Sequence, residues 1–403
     1  MFFVKFWGVR GSVACCSPSH IRYGGNTSCV EVGVGEHRFV LDAGTGIRAL
    51  SKVFREDDVR TIYLLLSHTH WDHINGFPFF RPAYDKNRRM HIYAGHLKRQ
   101  NLSIQGVLCQ QMREPVFPVP LDAMKAIVEC EDFDAGDAFS LFPGVRVRTQ
   151  PLNHPNGATG YRIEYGGKSV CYVTDTEHIP GRTDENILKL IEGADLVIYD
   201  STYTEDEFSR HVGWGHSTWN EGLRLCRLAG ARQFAIFHHD PDHDDAAMDR
   251  IAAQARAAAA NTIITREGMT ILLDGAGSNV AATPLSSPTA ERVEREQRST
   301  DRRKAACSRE EVAQRLRVLS QPLRTRWGIR IVGFFGSCAR GEMEPESDVD
   351  LLVDFDRPLG FELSDAIGEI EAALGRTVDI ASRKWLRPRL RAAIAEELVY
   401  VDT

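Results

Sequence analysis

The sequence predicts an α/β protein of two domains, a large one whose sheets are covered by helices and a small one with its own strands and helices. Three observations carry this. Residues 1–275 alternate short apolar runs with glycine-rich or charged turns, interrupted by a few amphipathic helical stretches. Residues 276–305 shift to Gly, Ser, Asn and Pro and then to a mixed charge run from Glu291 to Lys304, which reads as a linker. Residues 306–403 then return to strand and helix patterning. A chain of 403 residues is also too long for one ordinary domain.

Within the first domain the strands are placed by apolar runs at Phe2–Trp7, Cys29–Val34, Arg38–Leu41, Thr61–Leu66, His91–Ala94, Val145–Thr149, Gly160–Glu164, Ser169–Val173, Leu196–Tyr199, Gln233–Phe237 and Thr270–Leu273. Helices are placed at Asp184–Glu192, Thr218–Ala229 and the alanine-rich Asp244–Ala260, whose acidic start suits a helix N-terminus. Residues 80–140 read as an insert that covers the site. In the second domain Ser308-Arg309-Glu310-Glu311 forms a capping box that opens a helix through about Leu319. Ile331–Phe335 and Leu351–Val353 are strands, Leu363–Leu374 a helix, and Val378–Ile380 a later strand.

The bulk properties exclude several classes. Hydrophobic residues make up 43% of the chain, a globular proportion, and no apolar segment is long enough to cross a bilayer, so no membrane partner is expected. The N-terminus has no charged region followed by an apolar core and reads as a first strand, which makes the expected location cytoplasmic. Nine cysteines without Cys-x-x-Cys spacing read as reduced thiols. A formal charge of −6 argues against broad nucleic-acid binding.

Chemistry concentrates directly after the run Ile62–Leu66, in Ser67-His68-Thr69-His70-Trp71-Asp72-His73. A buried strand here delivers four ligand-type side chains within six residues, and the spacing of His68 and His70 against Asp72 and His73 suits a two-metal centre. Other apolar runs end in Asn153-His154, Thr174-Asp175 and His238-His239-Asp240. The His-x-His-x-Asp-His string resembles the signature of the metallo-β-lactamase superfamily, and with it the fold is expected to be that family's αββα sandwich. The resemblance implies that His68, His70 and His154 hold one metal, that Asp72, His73 and His238 hold the other, and that Asp175 bridges them. Zinc is expected at both positions, and manganese or iron would suit the same N/O ligands. Asp72 counts among the catalytic residues as well as the ligands. His238 is preferred to His239 because it directly continues the apolar run, and Asp42 matches a family carboxylate that orients the metal-bound histidines.

Gly215-His216-Ser217-Thr218 and Asp200-Ser201-Thr202 resemble the phosphodiesterase branch of that superfamily, which includes tRNA 3′-processing ribonucleases and cyclic-phosphate phosphodiesterases. That branch implies that His216 contacts the phosphate and protonates the leaving oxygen while Asp200 holds it. Arg10 and Arg22, in glycine-rich turns, are considered as phosphate contacts and set aside. A small phosphodiester or nucleotide is the expected substrate, favoured over tRNA because no flexible glycine-rich arm is visible.

In the second domain Gly336-Ser337, ten residues and then Asp348-Val349-Asp350 form a pattern whose two carboxylates leave an extended chain on the same side. It resembles the polymerase-β-type nucleotidyltransferases, in the minimal version found as antitoxins beside small helical toxins. The resemblance implies that Gly336, Ser337 and Arg340 take the nucleotide, that Asp348 and Asp350 bind Mg²⁺, and that Asp379 supports the attacking hydroxyl. ATP is the expected donor, AMP the group transferred, and a protein such as a helical toxin the expected target. The competing readings are a lactonase or thioesterase in the first domain and an antitoxin-like regulatory module without turnover in the second.

Overall fold

The computed structural model describes residues 1–56, 59–274, 280–282, 308–342, 347–356, 362–383, 394 and 397–401. The chain divides into two compact units, Met1–Leu285 and Ser286–Thr403. Strands of the first unit are, in chain order, β1 (Phe2–Gly8), β2 (Cys29–Val34), β3 (His37–Leu41), β4 (Thr61–Leu66), β5 (Arg89–Ala94), β6 (Ile127–Asp132), β7 (Ala138–Phe142) and β8 (Val145–Leu152). They continue with β9 (Ala158–Tyr165), β10 (Lys168–Val173), β11 (Leu196–Asp200), β12 (Phe234–Phe237), β13 (Thr262–Ile264), β14 (Met269–Leu272) and β15 (Val280–Ala282).

These strands make two sheets, β15-β14-β1-β2-β3-β4-β5-β6 and β13-β12-β11-β10-β9-β8-β7. One apolar core lies between them, with Phe6, Val30, Phe39 and Leu65 from the first sheet against Val147, Ile163, Tyr172 and Phe237 from the second. A second core joins the outer face of the first sheet to the helices Ile47–Glu56 and Ile104–Gln111. A third joins the other sheet to the helices Glu185–Ile191, Trp219–Leu228 and Asp245–Ala258. The layers are therefore helix, sheet, sheet, helix, as the family resemblance implies. Each of these last three helices is capped by the side chain of the residue before it, Asp184, Thr218 and Asp244, which accepts a backbone N–H of the first turn.

Residues 80–140 depart from expectation. They supply β5 and β6 of one sheet and β7 of the other, so they are part of the sandwich and not an insert over the site. The reason is visible in β6, an edge strand whose residues alternate between exposed and half-buried, which leaves no apolar run to read. Of the expected linker, Val280–Ala282 pairs antiparallel with β14, and the remainder of 276–305 lies outside the described residues.

Strand direction positions the site. β3 and β4 run parallel, as do β10, β11 and β12, and β8 shares their direction because two antiparallel pairings separate it from β10. Their C-terminal ends all reach one rim of the sandwich, where Asp42, Ser67, His154, Asp175, Asp200 and His238 stand at the strand ends or within two residues of them.

The second unit has a four-stranded sheet, in the order β18-β17-β16-β19, of β16 (Ile329–Phe335), β17 (Val349–Phe355), β18 (Val378–Ser382) and β19 (Val399–Tyr400). Its core takes Val312, Leu316 and Leu323 from the helix Arg309–Trp327 and Ala366, Ile370 and Leu374 from the helix Glu362–Leu374. The first of these begins at the Ser308–Glu311 capping box but runs past the expected end near Leu319, and past Pro322, to a left-handed stop at Gly328.

Candidate metal centre

The side chains at the rim fall into donor sets whose ligand atoms lie within 4.8 Å of one another: His68, His70 and His154; Asp72, His73, Asp175 and His238; and Asp175, Asp200, His216 and His238. Asp175 faces two ways. Its Oδ2 lies 3.7 Å from both His68 Nε2 and His154 Nε2, and its Oδ1 lies 3.2 Å from His73 Nε2 and 3.1 Å from His238 Nε2. A carboxylate placed this way spans the first two sets.

The imidazoles are oriented from outside. Asp42 is fully buried and its two oxygens accept from the Ser67 amide and hydroxyl, both at 2.7 Å, from Tyr172 Oη at 2.9 Å and from His73 Nδ1 at 2.7 Å. His154 Nδ1 donates to the Gly215 carbonyl at 2.8 Å. The Ser67 hydroxyl, already donating to Asp42, lies 3.1 Å from His68 Nδ1, and Thr202 Oγ1 lies 3.0 Å from His238 Nδ1. With the Nδ1 protons of His68, His73, His154 and His238 engaged outward, each Nε2 lone pair is left facing the centre. His70 enters with its Nδ1, 3.0 Å from His154 Nε2.

The donor chemistry fits divalent cations. His68 Nε2 is buried with no hydrogen-bond partner, and His73 Nε2 and His238 Nε2 sit 3.2 Å apart, a costly arrangement that a shared cation relieves. Burial lowers the basicity of His73, but Asp175, Asp72 and Asp42 outweigh it and raise its pKa. Burial likewise pushes Asp72 up, yet His73 and His238 hold it well below the usual carboxylate range. His68, His70 and His154 are all lowered, burial being the main cause. Buried carboxylates beside lone-pair imidazoles constitute a site of negative potential with nitrogen and oxygen ligands.

His216 stands at the edge of this group. Its Nδ1 donates to Asp200 Oδ2 at 3.0 Å and lies 3.9 Å from Asp175 Oδ2, and its ring stacks on His238 at 5.0 Å between centroids. Burial lowers it, but the charge and hydrogen bond of Asp200, with Asp175 and Asp72, raise its pKa to about 9. Asp200 is itself held by the Thr176 amide and by the amide and hydroxyl of Thr202. Thr218 caps the following helix, which fixes the turn that carries His216.

Other candidates are turned away. His239 is buried with Nε2 2.8 Å from the Thr265 carbonyl, and burial drops its pKa to about 3, so it is neutral and outside the donor sets. Arg10 is fully buried, giving its guanidinium to the carbonyls of Gly24, Asp240 and His243, and Arg22 pairs with Asp249 and Asp245. Three contributors went unread in the sequence: Tyr172, Thr202 and the Ser12 amide, which donates to Asp72 Oδ2 at 2.8 Å. Tyr172 had no signal, because an apolar strand residue shows nothing of where its hydroxyl ends.

In the second unit Gly336 opens the short helix Gly336–Arg340 with φ +73°, and a Cβ there would stand 2.3 Å from Asp350 Oδ2. Asp350 is opposite Asp379 in the parallel β17–β18 pair, and its carboxyl is raised by burial and then by Asp379, Asp348 and Glu397. Asp348 accepts from the Thr377 hydroxyl. Arg340 is ion-paired with Glu342 and Glu397. Among the described residues, the donor sets tight enough to share one ion all belong to the first unit.

Residues 37–239 match the family model described as the beta-lactamase superfamily domain, and residues 316–401 match the nucleotidyltransferase domain. A protein named ribonuclease Z from Natronomonas pharaonis is 25% identical over 283 residues, covering 58% of this chain and 86% of that protein. A protein named protein adenylyltransferase MntA from Thermococcus cleftensis is 38% identical over 93 residues, covering 23% of this chain and 94% of that protein. Among solved structures, one described as a new diphosphatase from the PhnP family has a TM-score of 0.50 and 17% identity, covering 68% of this chain and 98% of that one.

Proposed function

The chain belongs to the metallo-β-lactamase superfamily of hydrolases and carries behind it a nucleotidyltransferase domain related to protein adenylyltransferases, and on that premise we propose that the first unit is a two-metal phosphodiesterase acting on a cyclic nucleotide or cyclic phosphate. The observation that carries this reading is the His216–Asp200 pair at 3.0 Å, set against the donor sets and poised as a buried acid. His68, His70 and His154 would hold one cation, Asp72, His73 and His238 the other, and Asp175 would touch both. When bound, the two ions supply Lewis acidity toward a phosphoryl oxygen and acidify a water molecule.

The protein's own residues do the rest. Asp200 favours the protonated form of His216, which would hold a phosphoryl oxygen and then donate its Nε2 proton to the leaving alkoxide. Asp200 keeps the Nδ1 proton in place and stabilises the charged ring before the donation. Asp42 and Gly215 hold His73 and His154 in the tautomers that leave Nε2 free. A thioesterase, whose thiolate leaves without a proton, has less use for the pair, and the resemblance of the turns carrying His216 and Asp200 to the phosphodiesterase branch favours a phosphodiester over a lactone. The relatives named ribonuclease Z extend the substrate class to RNA, but residues 80–140 supply β5, β6 and the helix Ile104–Gln111 packed on the first sheet and hold no glycine-rich run of the kind that grips a tRNA, which favours a small ester.

In this proposal the second unit transfers AMP from Mg²⁺-ATP to a protein hydroxyl, the hydroxyl oxygen bonding to the α-phosphorus as the α–β phosphoanhydride breaks and pyrophosphate leaves. Gly336 and Ser337 receive the phosphates, Asp348 and Asp350 hold Mg²⁺, and Asp379 lies beside the attacking oxygen. The 38% relative named protein adenylyltransferase supports a protein acceptor, with a small helical toxin as the first candidate.

The first test is hydrolysis of bis(p-nitrophenyl) phosphate by metal-reconstituted protein. Turnover that disappears in His70→Ala and falls in His216→Ala supports the reading. Protein that holds two metals and leaves the ester intact overturns it in favour of a lactonase or thioesterase. For the second unit, full-length protein is incubated with α-labelled ATP, Mg²⁺ and a candidate helical toxin. Transfer of label to the toxin, absent in Asp350→Asn, is expected, and no adduct overturns that half.

A further inference from the structure

Trp71 is 83% exposed and Trp214 63% exposed, while Trp7 and Trp219 are buried and Trp327 is half-buried. Among the described residues, both exposed tryptophans stand beside the metal centre. Trp71 lies between His70 and Asp72 at the start of the short helix Trp71–Ile74. Trp214 precedes Gly215, whose carbonyl takes the His154 Nδ1 proton, and His154 Nε2 is 3.0 Å from His70 Nδ1. Trp71 and Trp214 thus sit on separate segments that meet at the site through the His70–His154–Gly215 contacts.

The loop bearing Trp214 is fixed in place. Glu177 accepts from the amides of Gly213 and Gly215 at 2.7 and 2.8 Å, and the Trp214 ring meets His211 edge-on at 5.0 Å. Gly215 has φ +87°, and a Cβ there would stand 2.3 Å from His154 Nδ1, so glycine is what lets this loop approach the centre. Glu177 also lines a cavity of about 740 Å³ shared with Asn153, His178, Ile179 and Arg182, beginning one residue from His154. Exposing a large aromatic ring to water forgoes the burial that ordinarily holds it, and single exposed apolar residues need no explanation. Two of them flanking a phosphate-cleaving centre do call for one, because base-on-indole stacking recognises any nucleobase.

We propose that Trp71 and Trp214 are stacking platforms for the nucleobase of the substrate, which makes the substrate a nucleoside phosphodiester in preference to a base-free cyclic phosphate. The proposal rests on the phosphodiesterase reading and narrows it. The base comes either from a free cyclic nucleotide or from an RNA end, and both present the same aromatic face.

The test uses full-length, zinc-loaded protein and two slowly cleaved probes, adenosine 3′,5′-cyclic phosphorothioate and a cyclic ribose phosphorothioate that lacks the base. Binding is followed by indole emission and by calorimetry. The nucleotide quenches emission, and Trp71→Ala and Trp214→Ala each weaken it about tenfold or more, the loss of one stack. Trp71→Phe and Trp214→Phe recover most of the affinity, and the ratio of kcat/KM for the nucleoside ester over the base-free ester falls with the alanine changes. Zinc content is measured for every variant, and Trp214 carries the test where a change at Trp71 disturbs the adjoining ligands. Tighter binding of a dinucleotide than of the cyclic nucleotide assigns the base to RNA, and the reverse assigns it to a free nucleotide. Equal affinity of the wild type for the two probes, or of wild type and both alanine variants for the nucleotide, overturns the stacking. Failure to cleave either parent ester is a separate result, which overturns the phosphodiesterase reading beneath it.

Discussion

Replacing Asp42 by Asn isolates the charge that orients the centre. Asp42 has φ 60°, a left-handed conformation that Asn tolerates better than other side chains with a Cβ, so the backbone gains no strain. The carboxylate accepts four bonds, from the Ser67 amide and hydroxyl, Tyr172 Oη and His73 Nδ1. An amide in its place has one accepting oxygen and an NH₂ that points at donors. The hydroxyls of Ser67 and Tyr172 rotate to adapt. With the amide oxygen kept on the rigid Ser67 amide, the NH₂ faces His73, which adapts only by moving its proton to Nε2, the atom 3.2 Å from Asp175 Oδ1 and 3.2 Å from His238 Nε2. That move blocks the lone pair a cation needs. The expected cost is a 10- to 100-fold loss in zinc affinity, the usual penalty for losing such a partner, and about 2–4 kcal/mol of stability for the mismatched buried groups. Zinc affinity is measured by chelator competition and stability by urea unfolding of the apoprotein. Tyr172→Phe is the control, removing one neutral donor for about 1 kcal/mol and leaving the His73 tautomer in place. Asp42→Asn that binds zinc within twofold of the wild type refutes the argument.

Removing the acid, in His216→Ala, is expected to lower kcat by about 10²- to 10⁴-fold on an alkyl phosphodiester and less on a p-nitrophenyl ester, whose leaving group needs no proton; an equal loss on both rules out proton donation. In the second unit, Gly336→Ala places a Cβ 2.3 Å from Asp350 Oδ2 at φ +73°, and Mg²⁺-ATP affinity measured by calorimetry is expected to fall at least tenfold; unchanged affinity sinks the assignment of this turn to the phosphates. Burial pushes the thiols of Cys171 and Cys226 up to about 12, and a raised thiol pKa means less thiolate at a given pH. Iodoacetamide at pH 8 is therefore expected to modify the exposed Cys16 and Cys109 and to spare Cys171 and Cys226 until the protein unfolds, as read by peptide mass mapping. Equal labelling rates in the folded protein contradict the burial.

Much of the candidate donor set was readable because it follows apolar runs. A buried strand must surrender its backbone to the sheet and its side chains to the core, so the polar residues just past its end are free for chemistry. His68, His154, Asp175 and His238 all follow that logic, and the core strands matched their apolar runs closely, as with Cys29–Val34 and Thr61–Leu66. Edge strands such as β6 did not, because half of each is bathed in water and its pattern carries little apolar signal. The helix Ile47–Glu56 is not among the helices placed from the sequence, although Ile47, Leu50 and Phe54 lie on one buried face of it.

What no residue string displays is the backbone that aims these ligands. Among the described residues, six other than glycine have a left-handed φ, and two of those are asparagines, for which the conformation is cheap. The other four are Ser12, Asp42, Asp175 and His238, at φ 59°, 60°, 54° and 62°, all of them in the centre. Each costs at most on the order of 1–2 kcal/mol, and less for Asp42, Asp175 and His238, whose residue types are enriched there, than for Ser12. The strain is opposed by bonds made in that same conformation. The Thr202 hydroxyl, its proton given to Asp200, takes the His238 Nδ1 proton, the Ser12 amide meets Asp72, and Asp42 gathers its four donors. The left-handed residue turns the chain sharply where a strand ends, so that Asp175 reaches both donor sets from one position. Among the described residues, the left-handed positions other than Asn and Gly gather at the candidate centre, the pattern expected where local preference gives way to a functional geometry.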